Sequence, residues 1–365
     1  MIRSSMFPGR YVQGVQAMRT LGEELTRFGD SAYIICDPFV LENLLPSFRE
    51  SLEKNLTHSL EEFGGECSRE EIERLQQGAV ESEFEVIVGI GGGKTLDTAK
   101  ALGHEIDRPV AIVPTTASTD APCSALSVIY TAGGEFEEYL FLPENPNLVL
   151  VDTTICAQAP VRFLVSGMGD ALATWFEAQS CRDSYSNHVH GTYGTMSAFH
   201  LAQLCYQTLL EYGSTARTAC ENDLVIPAVD HVVEANTLLS GLGFESGGLA
   251  AAHAIHNGLT QLEPTHDYLH GEKVAIGTLA SLFLTDKSQE VIGEVFSFCE
   301  AVGLPSSLSE IGLGDVSDDD LQRVAEGACA EDETIHNEPM TVTPEMVSSA
   351  LRSVEAESVK RKENR

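Results

Sequence analysis

The first 150 residues alternate between short apolar runs and stretches with helical periodicity. Four runs are too short for buried helices and indicate strands over 33–36, 83–89, 109–114 and 148–152. Helical spacing follows the first two runs, over 40–56 and 95–103. Apolar strands that alternate with helices are typical of a parallel sheet covered on both faces. The sequence therefore predicts an N-terminal α/β domain with a Rossmann-like parallel sheet.

The pattern changes near residue 160. From Val161 onward the chain shows long helical periodicity and few β-branched clusters, with helices predicted over 223–241, 248–259 and 272–284. We therefore expect two domains, an α/β domain over 1–160 and an all-helical domain over 161–365.

Charge excludes several classes of partner. The chain carries 55 Asp and Glu residues against 22 Lys and Arg residues, for a formal net charge of −33. Nucleic acid is excluded because phosphates need a basic surface, and an anionic membrane is disfavoured for the same reason. The carboxylates are spread along the chain, which fits adaptation to high salt or an ordinary acidic cytosolic enzyme.

The cysteines and the first residues bear on the compartment. Nine cysteines, an odd number without a CxxC pair, indicate reduced and mostly buried thiols. Residues 1–8 lack the apolar run of a signal peptide. We expect a cytoplasmic protein.

A glycine-rich loop follows the second predicted strand and opens a helix. Backbone N–H groups at such a position can bind phosphate, and glycine allows close approach. The loop is not a P-loop, because Val88 stands where the first glycine is required, and Lys94 breaks the G-x-G-x-x-G pattern. A dinucleotide pyrophosphate is the preferred ligand, and a tight turn is the alternative. The loop residues are Gly91, Gly92, Gly93, Lys94 and Thr95.

Polar residues also follow the first and third predicted strands. Asp37 is placed to accept a hydrogen bond from a ribose 2′-hydroxyl, which favours NAD over NADP. The segment 115–122 carries hydroxyl side chains and Asp120. These hydroxyls could cap a helix, but the carboxyl ends of parallel strands line the ligand crevice. We expect this loop to face cofactor and substrate.

Four residues of the helical half have the chemistry of metal ligands. Asp170 lies near the start of a predicted helix, and His253 and His256 share one helix face among small apolar residues. His270 begins the next helix. A single histidine in an apolar helix is usually a packed core residue, but this set is harder to explain by packing. Zinc accepts imidazole and carboxylate, and three protein ligands leave a position for substrate.

In this order and at these separations, the motifs resemble those of the glycerol dehydrogenases. That family belongs to the metal-dependent, iron-containing-type alcohol dehydrogenase superfamily, whose architecture is dehydroquinate synthase-like. The segments 252–258 and 270–273, with the sequences AHAIHNG and HGEK, are highly specific for it. The similarity extends from the glycine loop to 333–337 and 340–346 near the C-terminus.

The resemblance implies a role for each motif. Asp170, His253 and His270 would bind the metal and, through it, the substrate. Asp120 would lie beside the substrate and His256 near the nicotinamide, which makes both candidate catalytic residues. Iron-dependent relatives place a further histidine four residues after the ligand aspartate, where this chain has threonine, so three ligands favour zinc. The implied NAD contacts are Asp37, Gly91, Gly92, Gly93, Lys94, Thr95, Thr115, Thr116, Ser118, Ser124, Leu126 and Tyr130.

The implied activity is the NAD- and zinc-dependent, reversible oxidation of glycerol to dihydroxyacetone. Hydride would leave C2 of a metal-bound vicinal diol. Residues 1–160 would bind NAD, and residues 161–365 would bind metal and substrate. The resemblance also implies a homo-oligomer, often an octamer.

Three other activities are compatible with this architecture. They are dehydrogenation of another small diol, dehydrogenation of glycerol 1-phosphate, and a dehydroquinate synthase-like lyase reaction. The last two act on phosphate esters and need several cations near the metal, whereas only Lys273 lies next to a ligand motif in the helical half. A non-catalytic protein that binds NAD or cations would have lost a ligand or the glycine loop, and both are intact.

Overall fold

The computed structural model describes residues 1–81 and 83–364. A six-stranded sheet with the order β2-β9-β6-β5-β3-β4 is parallel throughout, and β7 and β8 form a separate antiparallel hairpin. The predicted parallel sheet is confirmed. The strands in the described part of the chain are β1 (Arg3–Ser4), β2 (Tyr11–Gly14), β3 (Ser31–Cys36), β4 (Thr57–Glu62), β5 (Val86–Gly91), β6 (Val110–Pro114), β7 (Leu126–Tyr130), β8 (Phe136–Phe141), β9 (Leu148–Asp152) and β10 (Tyr193–Gly194).

The four strands predicted from apolar runs are the central strands of the sheet. Every residue of β5, β6 and β9 is buried, which explains why these strands appear in the sequence as apolar runs. The edge strands β2 and β4 were not predicted. The β4 sequence THSLEE is half-exposed and polar, so no apolar run marks it.

Helices follow the sheet, as predicted. The expected helix over 223–241 is divided into α8 (Pro227–Glu234), a π-helical turn at Ala235–Leu239, and α9 (Ser240–Gly247). Among the described residues after 160, β10 is the one strand, and it pairs with β1. The α-helices in the described residues are α1 (Leu21–Leu25), α2 (Leu45–Asn55), α3 (Arg69–Glu81), α4 (Gly93–Glu105), α5 (Thr153–Gln158), α6 (Val161–Ser184), α7 (Met196–Cys220), α8 (Pro227–Glu234), α9 (Ser240–Gly247), α10 (Ala251–Leu259), α11 (His270–Leu284), α12 (Gln289–Val302), α13 (Asp318–Ala328) and α14 (Pro344–Glu363).

The order of the strands determines where a ligand can bind. From β3 the chain passes outward to β4, and then crosses β3 to reach β5 on its other side. The direction of winding therefore reverses between β3 and β5. In open α/β sheets the ligand crevice lies beyond the carboxyl ends of the strands at such a reversal. Asp37 directly follows β3, and Gly92 directly follows β5.

One hydrophobic core joins the sheet to the helices that follow it. Ile87 and Ile112 from the sheet belong to the same buried cluster as Leu164 of α6, Leu279 of α11 and Val354 of α14. A second cluster covers the opposite face of the sheet with side chains of α1 and α2. All nine cysteines are free and eight are buried, as predicted. Within the described residues, no helix has the length and apolar character needed to cross a bilayer.

Candidate active site

Three residues that are far apart in the sequence meet at one point. Asp170 projects from α6, His253 from α10, and His270 is the first residue of α11. Oδ1 of Asp170 lies 3.3 Å from Nε2 of His253 and 3.1 Å from Nε2 of His270. One ligand atom from each residue lies within 4.8 Å of the other two. The structure thus brings the three predicted ligands together.

Glycines allow the helices that carry these ligands to touch. A β-carbon at Gly169 would lie 2.2 Å from the carbonyl oxygen of Gly271, and one at Gly271 would lie 1.8 Å from that of Ser166. Asp170 itself lies in the middle of α6, as the tenth of its 24 residues. The expectation that it lies near a helix start was wrong, because the neighbouring glycines serve helix contact.

Glu177 orients His253 and was not predicted. Its Oε2 lies 2.6 Å from Nδ1 of His253, and its Oε1 accepts from the backbone N–H groups of Ala250 and His253. A carboxylate facing Nδ1 keeps a proton there, so the neutral ring presents the lone pair of Nε2 to the site. The available sequence signal was spacing, since Glu177 lies seven residues, or two helical turns, after Asp170.

The donor set fits a divalent cation. The carboxylate of Asp170 is 1% exposed and faces two imidazole nitrogens. Burial alone would raise the pKa of Asp170, but His270 and His253 hold it well below its usual range. Burial opposes protonation of His253, yet Glu177 and Asp170 raise its pKa well above normal. One carboxylate and two imidazoles form a ligand set that suits zinc.

These pKa shifts predict how pH acts on the metal-free protein. The raised pKa of His253 adds stability that is fully present below the unfolded value of about 6.5 and is lost as pH rises through the folded value. We therefore expect the gap in unfolding free energy between the wild type and His253→Ala to shrink above about pH 6.5. Urea denaturation of both proteins from pH 6 to 10, with metal removed, measures this gap. A gap that widens with pH contradicts the expectation.

Asp120 lies against the ligand carboxylate. Its backbone N–H donates to Oδ2 of Asp170 at 3.2 Å, and its own Oδ2 accepts from the hydroxyl of Ser240 at 2.7 Å. The hydroxyls of Ser240 and Thr174 are 2.8 Å apart, and both residues are fully buried. Burial and the like charge of Asp170 raise the pKa of Asp120 well above its usual value. Ser240 was not predicted, and it holds the Asp120 carboxyl in place.

His256 lies beside a ligand and outside the converging set. Its Nε2 is 3.1 Å from Nδ1 of His270, and its Nδ1 is 3.0 Å from Oδ1 of Asn257. Burial, together with His270 and His253, lowers the pKa of His256 well below its usual value. His256 is therefore a neutral ring in contact with a ligand imidazole.

The glycine loop and Asp37 meet at the carboxyl edge of the sheet. Asp37 accepts hydrogen bonds from the backbone N–H of Gly92, at 2.7 Å, and from the hydroxyl of Thr95. A β-carbon at Gly91 would lie 2.3 Å from Oδ2 of Asp37, so only glycine fits there. The carboxylate of Asp37, which was expected to bind ribose, thus stabilises the glycine loop through hydrogen bonds. Nζ of Lys94 lies 5.0 Å from the centre of the Tyr130 ring.

The loop after β6 lies alongside this edge. The backbone N–H of Thr115 donates to the carbonyl oxygen of Gly91, and the hydroxyls of Thr116 and Ser118 are 3.1 Å apart. Lys100, which was not predicted, binds the next part of the chain, over 121–126. Lys100 of α4 is 1% exposed, and its Nζ donates to the backbone carbonyls of Ala121, Ser124 and Leu126.

Comparisons with known proteins agree with this layout. Residues 8–153 match the family model described as iron-containing alcohol dehydrogenase. A glycerol dehydrogenase from Thermotoga maritima is 64% identical over 97% of both chains. A glycolaldehyde reductase from Halobacterium salinarum is 50% identical over 94% of both chains. The crystal structure of glycerol dehydrogenase from Schizosaccharomyces pombe is 40% identical, with a TM-score of 0.95, and covers 100% of this chain and 93% of that one.

A parallel sheet with a glycine loop at its point of reversal, joined to helices that present three metal-type ligands, is the layout of a metal-dependent oxidoreductase. At 64% identity over nearly the whole length, the relationship leaves one assignment. The chain belongs to the iron-containing alcohol dehydrogenase family, and it is an enzyme.

Proposed function

We propose that this enzyme catalyses the reversible oxidation of glycerol to dihydroxyacetone, with NAD as hydride acceptor and zinc as metal. The observation that carries the proposal is the convergence of Asp170, His253 and His270 within 4.8 Å. The high identity to the glycerol dehydrogenase of Thermotoga maritima supports the choice of substrate.

Asp170, His253 and His270 would hold the zinc ion and, through it, the substrate. Zinc supplies Lewis acidity, which lowers the pKa of a bound hydroxyl. Glu177 holds His253 with Nε2 toward the site. Zinc is favoured over iron because three protein ligands suit a catalytic zinc site, and the hydroxyl of Thr174 is engaged with Ser240.

Proton transfer has two candidate side chains. Asp120 lies next to Asp170, and its raised pKa favours the protonated carboxyl, so this side chain could carry a proton. His256 is neutral and contacts His270. Asp120, His256 or water could receive the hydroxyl proton in the proposed reaction.

NAD is proposed to bind at the edge formed by the glycine loop and the loop after β6. The N–H groups at the start of α4 suit the pyrophosphate. The carboxylate of Asp37 beside Gly92 would repel the 2′-phosphate of NADP. Hydride transfer from C2 to the nicotinamide is chemistry that belongs to the cofactor.

A second candidate activity is the reduction of a small hydroxyaldehyde. The glycolaldehyde reductase from Halobacterium salinarum is 50% identical to this chain. Glycolaldehyde carries its carbonyl next to a hydroxyl, so it offers the same two adjacent oxygens as a vicinal diol. One carbon more or less changes the rate only modestly in many pockets, so both substrates belong to the proposed class.

Phosphate esters suit the site less well. Arg162, a cation on the ligand helix α6, is engaged at 2.7 Å by Glu272 on the helix that begins with His270. A phosphate would have to compete with this ion pair and approach a chain with a net charge of −33.

A substrate panel tests the proposal. The zinc-loaded enzyme is assayed for oxidation of glycerol, propane-1,2-diol and glycerol 1-phosphate with NAD and with NADP, and for reduction of glycolaldehyde with NADH and with NADPH. We expect glycerol to exceed glycerol 1-phosphate in kcat/KM by at least about a hundredfold, since the Arg162 cation is already paired with Glu272. Metal analysis of the purified enzyme is run alongside. A preference for glycerol 1-phosphate, or for NADP, overturns the proposed specificity.

The proposal also covers the domains, the compartment and the oligomeric state of the enzyme. We propose a division at residue 160 between a part that binds NAD and a part that binds metal and substrate. We also propose a cytoplasmic enzyme, because its nine cysteines are free. Assembly as a homo-oligomer, with an octamer as the expected form, can be measured by light scattering.

A further inference from the structure

The two ring nitrogens of His270 have different neighbours. Nε2 lies 3.1 Å from Oδ1 of Asp170, and Nδ1 lies 3.1 Å from Nε2 of His256. A neutral imidazole carries its proton on one nitrogen only. For Nε2 to offer its lone pair to a metal, the proton must be on Nδ1. Whatever places the proton there prepares His270 as a ligand.

A series of contacts leads outward from His270. Nδ1 of His256 lies 3.0 Å from Oδ1 of Asn257. Nδ2 of Asn257 lies 3.1 Å from each carboxylate oxygen of Glu333. The series therefore starts at a metal-type ligand and ends at a partly exposed carboxylate 63 residues further along the chain.

Chemistry decides the direction of each hydrogen bond in this series. The carboxylate of Glu333 only accepts, so Asn257 must turn its NH2 group toward Glu333 and its carbonyl oxygen toward His256. That oxygen only accepts, so His256 donates from Nδ1 and its neutral ring accepts at Nε2. His270 then donates from Nδ1, and its Nε2, which faces Oδ1 of Asp170, is the nitrogen left to bind a metal ion.

We propose that Glu333, Asn257 and His256 are positioning residues that fix the metal-binding tautomer of His270. The proposal rests on the proposed metal-dependent function, but it concerns a proton whose location can be measured without metal or substrate. It gives each imidazole ligand a carboxylate that sets its tautomer. Glu177 acts on His253 directly, and Glu333 acts on His270 through two intermediate side chains.

The test reverses the series at its outer end. In Glu333→Lys an ammonium donor replaces the acceptor, so the Asn257 amide turns over and the proton of His256 moves from Nδ1 to Nε2, where it faces Nδ1 of His270. Asp332→Lys is the matched control, because it makes the same charge change at the adjacent, exposed residue. Zinc affinity is measured with Zn²⁺ alone by competition with a chelator. The His256 tautomer is read from nitrogen–proton NMR of the metal-free protein, with its signals identified by a His256→Asn variant.

We expect Glu333→Lys to bind Zn²⁺ about tenfold or more weakly than Asp332→Lys, within the range for outer partners of metal ligands. We also expect its His256 proton to move from Nδ1 to Nε2. Glu333→Ala, which leaves the amide unspecified, should show both His256 tautomers, and it replaces Glu333→Lys if that variant does not fold. Equal affinity in the two lysine variants, with His256 protonated only at Nδ1, overturns the proposal. An enzyme inactive on glycerol would remove the proposed substrate and leave both readouts unchanged.

Discussion

Replacing His253 with alanine is expected to abolish metal retention and turnover while NAD binding survives. The change removes one of three ligand side chains and leaves Asp170 without one of the two imidazoles that stabilise its charge. Lewis acidity contributes several kcal/mol to such reactions, so we expect kcat to fall by at least about a thousandfold. Metal analysis, steady-state assay and NAD titration by fluorescence measure the three effects.

His200→Ala is the control for this variant. His200 is an exposed histidine of α7 whose ring hydrogen-bonds to Gln203, so its loss should leave metal content and rate unchanged. If His253→Ala turned over at the wild-type rate after metal removal, a mechanism that depends on this ligand set would be wrong. If it lost NAD binding as well, the two parts of the site would be more tightly coupled than the structure indicates.

Replacing Glu177 with glutamine is expected to have the next largest effect. The glutamine carbonyl must accept from the backbone N–H groups of Ala250 and His253, so its NH2 group faces Nδ1 of His253. That nitrogen then has to accept, and the proton moves to Nε2, where the metal should bind. Loss of such an outer partner reduces metal affinity about 10–100-fold. Competition between the protein and a zinc chelator measures the change.

Glu338→Gln provides a matched control. Glu338 is also a buried carboxylate at the start of α10, where it accepts from the backbone N–H of Ala251 at 3.1 Å and from the hydroxyl of Ser180 at 2.6 Å. Both of its carboxylate oxygens are thus engaged by groups other than the His253 ring. If both glutamine variants weaken zinc binding equally, Glu177 acts by capping the helix, and the tautomer argument fails.

The parts of the fold that were predicted are those that the hydrophobic effect marks locally. The central strands are buried on both faces and therefore appear as apolar runs. The edge strand β4 is polar, so nothing local distinguishes it from a loop. The strand β8 has the sequence FEEYLF, in which two glutamates interrupt the apolar residues, and it is mostly exposed. The expected start of β5 was three residues early, because strand ends depend on the register with β3 and β6.

The site divides in a similar way. Asp170, His253 and His270 were identified because their residue types are rare in apolar helices and because the surrounding motifs resemble a known family. Glu177, Ser240 and Glu333 were not identified, because each acts through a contact between segments 66 to 120 residues apart. Spacing places Glu177 on the same face of α6 as Asp170, but only packing shows which imidazole it faces.

The shared hydrophobic core has a consequence for how the enzyme works. Leu164 and Leu279 pack in the same cluster as Ile87 and Ile112 of the sheet, so the two halves cannot swing apart on a hinge without exposing that cluster to water. Large rigid-body motions are the norm only where the contact between domains is small and polar. We therefore expect the glycine loop and the three metal-type ligands to keep the same separation when substrate binds, so that the proposed hydride transfer would need no domain closure.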